Sequence, residues 1–183
     1  MRMDCSVPRP SFSTFRGRIE SAALQAIADH WEEARGQNIM PSWGDLRPSS
    51  IAPYLTRIWS YRYDRATGEF TSRLAGNQVT LGFGVSFRGT PLRDIHPPHL
   101  YEQVQERMTR LVLGPCLYRL KGELFRQGDY VTHGERIVLP LASDGIHCDG
   151  TLGASDYPAP PPSSQNRPVE LIMENEEWFA LAG

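Results

Sequence analysis

Apolar residues near the start of the chain recur with the spacing of an α-helix. Between Ile19 and Ala34 they fall three or four positions apart, so they share one helical face, and charged residues occupy most of the other face. Gly36 favours the end of this helix. We predict a flexible N-terminus over residues 1–15 and one N-terminal helix over residues 16–36.

The apolar face of this helix needs a surface on which to pack. Alanine dominates the face, so the helix can approach its partner closely, whether that partner is the chain's own sheet or a second subunit. We predict the second arrangement, a homodimer. The residues expected to form the dimer contact are Ile19, Ala23, Ile27 and Trp31.

A β-hairpin is predicted after this helix and a proline-containing connector. The segments 57–63 and 69–75 are rich in aromatic and β-branched residues, which favour strands. Between them, Asp64 and Gly68 bound a sequence that is typical of a turn. The two segments should therefore pair as antiparallel strands.

The second half of the chain has the pattern of one long helix followed by three strands. Four apolar residues from Leu100 to Leu111 repeat on one helical face, after several helical turns interrupted by glycine. Period-two alternation and turn residues then predict strands over residues 116–125, 136–142 and 146–154.

This order of elements excludes a purely parallel sheet, which needs alternating strands and helices. It predicts an α+β fold, with a five-stranded antiparallel sheet, helices on one face and an extra N-terminal helix. We assign this domain to residues 37–155. A proline-rich linker and a C-terminal tail make up residues 156–183, and the tail is expected to dock as a helix.

Charge and composition narrow the class of protein. Lys+Arg 19 against Asp+Glu 21 leaves a net charge of -2, which gives no positive field to hold a nucleic acid. No apolar run approaches the roughly 20 residues that cross a bilayer, and the N-terminus lacks the apolar stretch of a signal peptide. Cys5, Cys116 and Cys148 form no CxxC pair, which fits a reducing compartment. We expect a soluble, cytoplasmic protein that neither binds nucleic acid nor inserts into membranes.

Five sequence features follow one another between Trp31 and Ala154. They are Trp31, Pro41 with Asp45-Leu46-Arg47-Pro48, Ser72-Arg73-Leu74-Ala75-Gly76-Asn77, Gly82 and Gly89 around Phe83 and Phe87, and Leu139-Pro140-Leu141 with Asp144-Gly145. With these features the chain resembles a PAS domain, the ligand-sensing and protein-interaction fold of signalling proteins. More narrowly, it resembles a bacterial subfamily of stand-alone PAS-like proteins formerly classed as domains of unknown function. It departs from that subfamily at Asn77, where threonine is usual, and at Trp43-Gly44, where arginine is common, so no role of that arginine transfers.

The resemblance implies a sensory or regulatory module that binds a signalling protein and is controlled by a small ligand between sheet and helices. The candidate cavity residues are Leu74, Leu81, Phe83, Met108, Tyr118, Leu120, Leu139 and Cys148. Two alternatives stay open from the residues themselves. One is a small isomerase or hydrolase that uses Asp144 and Asp149 for acid-base work, and the other is a ligand-free dimerisation scaffold with a filled core.

Four residues are candidates for metal or redox chemistry. His96 and His99 stand three positions apart at a helix start, and PAS domains that hold haem use a histidine of this region as a ligand. Because no Cys or carboxylate cluster accompanies them, we expect surface or capping histidines, and we predict no haem, metal or other cofactor. A buried free thiol usually packs as a small hydrophobe, so Cys116 and Cys148 are predicted to be structural rather than redox-active.

Arg73 lies within the motif that carries the resemblance. Strand alternation places it on the face opposite to Leu74. We expect Arg73 to form a structural ion pair with Asp45 or Asp94 that fastens the connector to the sheet. The alternative is an arginine that binds an anion.

Overall fold

The structure is a computed structural model that describes residues 10–158 and 169–181. Within these ranges the strands are β1 Ile58–Asp64, β2 Glu69–Ala75, β3 Cys116–Gln127, β4 Tyr130–Leu141, β5 Gly150–Asp156, β6 Val169–Leu171 and β7 Glu176–Ala180. The helices are α1 Pro10–Arg18, α2 Ala22–Arg35, α3 Asn77–Phe83, α4 Leu92–Ile95 and α5 Pro98–Leu113, with 3-10 segments at Trp43–Asp45 and Pro48–Arg57. None of the described helices is both long and apolar enough to cross a membrane.

One antiparallel sheet forms the centre of the molecule. Its strand order is β2-β1-β5-β4-β3-β6, and β7 also pairs with β3. The predicted hairpin of β1 and β2 turns at Gly68, whose φ of 72° suits glycine, and β3 and β4 form a second, longer hairpin. The α+β class and the five-stranded antiparallel core, β2-β1-β5-β4-β3, are therefore confirmed.

The C-terminal tail forms strands, so the prediction of a docked helix is wrong. β6 pairs with residues 125–127 and β7 with residues 116–120 of β3. Alternation along β7 turns Trp178 toward α5 and Phe179 toward α1, where its ring lies 5.5 Å from that of Phe15. Without the tail, β3 would be an edge strand with unpaired backbone groups, and these groups explain why the tail is extended.

The N-terminal region contains two helices where one was predicted. Residues 19–21 separate α1 from α2, and Ser21 begins α2 because its hydroxyl accepts a hydrogen bond from the N–H of Leu24 at 3.3 Å. The Glu135 carboxylate of β4 accepts a hydrogen bond from the N–H of Ser21 at 2.7 Å. This bond holds the break between the helices against the sheet.

Residues 10–15 belong to α1 rather than to a flexible N-terminus, and residues 1–9 lie outside the described part of the chain. Phe12 and Phe15 are buried, and the Phe12 ring stacks on Trp31 with 6.2 Å between centroids. These two aromatic side chains give α1 an apolar face of its own, which accounts for its packing against α2.

Helices α1 and α2 cover the sheet face opposite to α3 and α5. Ile19, Ile27 and Trp31 are buried there, and Trp31 Nε1 donates a hydrogen bond to the carbonyl of Pro140 at 2.8 Å. Ala23 is half-buried. The apolar stripe predicted as a dimer contact therefore packs against the chain's own sheet, which is the other arrangement that the sequence allowed.

Candidate ligand-binding cavity

A cavity of about 90 Å³ lies between the sheet and helices α3 and α5. Side chains at alternate positions of neighbouring strands share a face, so β3, β4 and β5 bring Tyr118, Val138, Arg136 and Ser155 into one wall. The strand register agrees with this grouping, because Tyr118 lies opposite Val138 and Arg136 lies opposite Ser155.

Trp59 of β1 completes the sheet wall, and a glycine makes room for it. Gly153 of β5 lies opposite Trp59, and a Cβ atom at Gly153 would lie 2.1 Å from the indole. Tyr61 also lines the cavity, and its ring centroid lies 5.7 Å from that of Trp59. Glycine at this position of β5 therefore determines where the aromatic part of the wall can lie.

The helices supply a second wall. Val104, Met108 and Leu111 of α5 line the cavity from one helical face. Phe83 of α3 and Phe87, which follows α3, line it beside them and meet edge to face at 5.5 Å. This wall is almost entirely apolar.

The tail closes one side of the cavity and is tied to the other two walls. Trp178 of β7 lines the cavity, and its ring lies 4.8 Å from that of Tyr118 and 4.1 Å from the Arg110 Cζ atom. Glu176 Oε1 accepts hydrogen bonds from the Tyr118 hydroxyl at 3.0 Å and from Arg107 Nε at 2.6 Å. One set of contacts therefore joins α5, β3 and β7 at the rim.

Arg136 is a half-buried cation that lines the cavity. Its Nε donates a hydrogen bond to Ser155 Oγ at 3.1 Å, and it forms no ion pair with any carboxylate of the described residues. Burial lowers the pKa of Arg136, and interactions with Tyr118, Tyr157 and Tyr61 oppose this shift. A guanidinium nevertheless remains charged in proteins. Among the described lining residues, Arg136 thus provides a positive charge without a counter-ion, whereas Arg107 is paired with Glu176.

His96 is another polar side chain that lines the cavity. It is buried, its ring meets Phe83 edge to face at 5.5 Å, and its Nδ1 has no hydrogen-bond partner among the described residues. Burial lowers the pKa of His96 to about 4, so the imidazole is neutral near pH 7. His99 is exposed and does not converge with it. The described part of the chain has no group of three or more His, Cys, Asp or Glu residues that could hold a metal.

The predicted cavity residues separate into two groups. Phe83, Met108 and Tyr118 line the cavity. Leu81 is 66% exposed. The others are buried or half-buried outside the lining, and they are Leu74, Leu120, Leu139 and Cys148. Leu139 follows the lining residue Val138 and so faces the opposite side of the sheet.

Sequence reasoning missed three residues that define the cavity. Trp59 lies in a segment that was predicted as a strand from its aromatic and β-branched residues, and its position opposite Gly153, which brings it into the wall, depends on the fold. Arg136 and Val138 stand two positions apart in the predicted strand and therefore share a face of the sheet. This spacing was the one feature of the sequence that could have placed Arg136 in the wall. Trp178 was missed because the tail was interpreted as a helix.

The expected ion pair of Arg73 is not formed. Its guanidinium Cζ lies 4.6 Å from the ring centroid of Trp43, and neither Asp45 nor Asp94 pairs with it. Asp45 instead accepts hydrogen bonds from the backbone N–H and the hydroxyl of Ser42, at 2.8 and 2.7 Å. The prediction was wrong because this carboxylate closes its own turn, while an aromatic ring covers the arginine.

The remaining chemical candidates lie away from the cavity. Burial raises the pKa of the Cys116 thiol to about 11 and that of Cys148 to about 12, which favours protonated, unreactive thiols, and Cys5 lies outside the described residues. Asp144 and Asp149, on which the enzyme alternative depended, accept hydrogen bonds within the loop between β4 and β5. The described residues that line the cavity include no carboxylate.

The antiparallel sheet, the short helices across one face and the cavity between them define a PAS-like α+β class of protein. In agreement with this, the family described as PAS domain matches residues 19–155. The match covers more than half of the chain, so the chain belongs to the PAS domain family. A comparison with curated proteins found no match. Membership of this family supports a sensory or regulatory module in general.

Proposed function

We propose that the chain is a sensory module whose cavity takes up a small ligand and whose C-terminal tail communicates occupancy to a partner signalling protein. This proposal rests on the observation that the PAS core and the C-terminal tail both contribute side chains to the cavity wall. Leu171, Met173 and Trp178 of the tail region line the same space as Met108 of α5 and Tyr118 of β3. A ligand in this space touches the PAS core and the tail together.

The contacts of β7 give a physical route from the cavity to the tail. Glu176 accepts a hydrogen bond from Tyr118, and Glu177 accepts one from Arg119, so both acidic residues of β7 bind β3 side chains. A ligand that packs against Tyr118 and Trp178 supports the pairing of β7 with β3. The surface offered to a partner protein changes with it, as in other switches that shift one packed element.

The size and polarity of the cavity support uptake of a small, largely apolar compound. Its volume is about 90 Å³, and an engineered apolar cavity of about 150 Å³ binds benzene. The ligand therefore has only a few non-hydrogen atoms unless the tail moves outward. An apolar lining with a few convergent polar groups is the usual composition of small-molecule sites.

Methyl-detected NMR with a panel of small carboxylates, alcohols, amides and phenols tests ligand uptake. We expect at least one compound to shift the methyl signals of Met108 and Val138, which line the cavity. The methyl signals of Ile27 and Leu152, on the other side of the sheet, should not move. A panel that shifts no cavity methyl would contradict uptake and would favour the scaffold alternative.

A cavity-filling variant and a matched control sharpen this test. Val104→Phe places extra volume in the lining and should weaken binding of the same compound at least tenfold. Leu113→Phe makes a similar change in α5 at a side chain that is 60% exposed, and it should leave binding unchanged. Equal binding by both variants would place the compound outside the cavity and contradict the proposal.

A further inference from the structure

We propose that the ligand of this cavity is a small monocarboxylate whose carboxylate pairs with Arg136 and whose apolar part lies against the aromatic wall. This inference rests on the proposed function, because it names the ligand class for the same cavity. Arg136 is the cation of the described lining that has no counter-ion.

Arg136 is incompletely satisfied by the protein. Ser155 Oγ is the hydrogen-bond acceptor of its Nε, and among the described residues neither terminal nitrogen of the guanidinium has a partner. A guanidinium carries five N–H donors in a planar fork. Arg136 is half-buried in the cavity wall, and a partly desolvated charge without a counter-ion is costly, so an unpaired arginine at this place favours an anionic partner.

The neighbouring residue cannot supply that partner. Glu135 lies on the other face of the sheet, where it accepts a hydrogen bond from Arg119 Nε at 2.6 Å and another from the N–H of Ser21 at 2.7 Å. Arg119 is thus fully paired behind the sheet while Arg136 is left unpaired in front of it. Glu176, at the cavity rim, is already shared by Arg107 and Tyr118.

The surroundings of Arg136 indicate which anion fits. Tyr157 uses its hydroxyl to donate to the carbonyl of Gln78 at 3.2 Å, whereas the hydroxyl of Tyr61 has no partner in the described residues and remains available as a second donor. A carboxylate accepts two parallel hydrogen bonds from a guanidinium, which matches the two free terminal nitrogens.

Charge and volume exclude larger or more highly charged anions. Arg136 is the cation without a counter-ion in the lining, since Arg107 is paired with Glu176 and His96 is neutral. A dianion such as a phosphate monoester would bury a second, uncompensated charge. The rest of the lining is apolar and the volume is about 90 Å³, which fits a short aliphatic chain. A short-chain monocarboxylate satisfies all three conditions.

The test compares butyrate with butyramide, its neutral analogue of nearly equal shape, by methyl NMR of the full chain. Butyrate should shift the Met108 and Val138 signals and bind at least tenfold more tightly than butyramide. Arg136→Met should reduce butyrate binding at least tenfold and leave butyramide binding unchanged. Arg136→Lys, which keeps the charge but not the fork, should lie between the two.

Arg73→Met is the matched control. Arg73 also has a buried, unpartnered Nε and no ion pair, but it lies against Trp43 outside the cavity. This variant should bind butyrate as the wild type does. Thermal melting adds a second measurement, because Arg136→Met removes an unpaired, half-buried charge and should not lower the melting temperature of the ligand-free protein.

The outcomes distinguish the ligand class from the function. Equal binding of butyrate and butyramide, or butyrate binding that Arg136→Met does not weaken, would overturn the carboxylate assignment while leaving the cavity as a ligand site. Cavity shifts with neutral members of the compound panel and none with butyrate would do the same. Absence of cavity shifts with every compound would overturn the assignment and the proposed function together.

Discussion

Two arginines on opposite faces of the sheet, Arg119 and Arg136, differ in how many of their N–H groups form hydrogen bonds within the described chain. On the face covered by α1 and α2, Arg119 donates hydrogen bonds to Glu135 and Glu177. On the cavity face, Ser155 is the one hydrogen-bond partner that Arg136 has among the described residues. Buried polar groups in folded proteins are generally paired, and exceptions concentrate at functional sites. The unpaired terminal nitrogens of Arg136 therefore support the proposal that the cavity face receives a ligand.

His96 predicts how the stability of the protein depends on pH. Its pKa in the folded state is about 4, below the ordinary value of 6.5, because burial disfavours the charged imidazole. Between these values the unfolded chain binds a proton that the folded chain does not. The contribution of His96 to stability is therefore fully present above about pH 6.5 and is lost as the pH falls toward about 4, by at most about 3 kcal/mol.

Urea unfolding from about pH 7.5 to about pH 4 checks this prediction. His96→Phe should flatten the fall in unfolding free energy over that range, and the slope that remains includes His30, whose pKa burial also lowers. His99→Phe removes an exposed histidine near the same helix start and should follow the wild type. A His96→Phe curve parallel to that of the wild type would show that His96 does not titrate as described.

At the scale of elements, β1 and β5 fit together closely at Gly153, so a larger residue at this position should destabilise the protein. An added Cβ atom would lie 2.1 Å from Trp59, so Gly153→Ala must displace the indole. We expect a loss of about 1–3 kcal/mol, the usual cost of overpacking, together with a changed Trp59 fluorescence signal. Gly17→Ala in α1 meets no atom within 4 Å and should not destabilise the protein. Equal stability of Gly153→Ala and the wild type would show that the indole does not lie over this glycine.

Helix α2 supplies a second prediction at this scale. Ile27 is buried against the chain's own sheet, so Ile27→Glu places an unpaired charge in the core and should lower the unfolding free energy by several kcal/mol. Ala22→Glu, at an exposed position of the same helix, is the control and should have little effect.

Light scattering combined with thermal melting separates this account from the dimer interpretation of the stripe. If the stripe joined two subunits, Ile27→Glu would yield a well-folded monomer from a wild-type dimer. The self-packed helix predicts a loss of stability without that change in mass. The predicted homodimer itself needs another surface, because Ile19, Ile27 and Trp31 are already buried within one chain.

Local sequence patterns were sufficient to predict the strands of the PAS core. They were insufficient to predict contacts between residues that are far apart along the chain. Period-two alternation and turn residues predicted the five core strands, since both signals are contained within short segments. The strand form of the tail depends on the free edge of β3, about sixty residues earlier along the chain, and no local pattern records that edge. The free guanidinium of Arg136 could not be predicted either, because only the fold shows that Glu135 faces the other way.

At the scale of the whole molecule, two segments outside the family match meet on β3. The match spans residues 19–155, whereas α1 ends at Arg18, just before the match, and the strands of the tail follow it. Phe15 of α1 contacts Phe179 of β7, and Arg18 Nε donates a hydrogen bond to Glu177 at 2.8 Å. A change in β7 therefore reaches α1 as well as the cavity. Both ends of the described chain could present an altered surface to a partner.

Hydrogen exchange at β7, measured by mass spectrometry on the full chain with and without saturating butyrate, tests the central claim most directly. The claim is that the tail responds to the contents of the cavity. We predict slower exchange of the amides of Glu176–Ala180 and of their β3 partners when butyrate is bound, because a filled cavity supports Trp178 from within. Unchanged exchange at β7, in a sample whose Met108 methyl shift shows that the cavity is occupied, would contradict it.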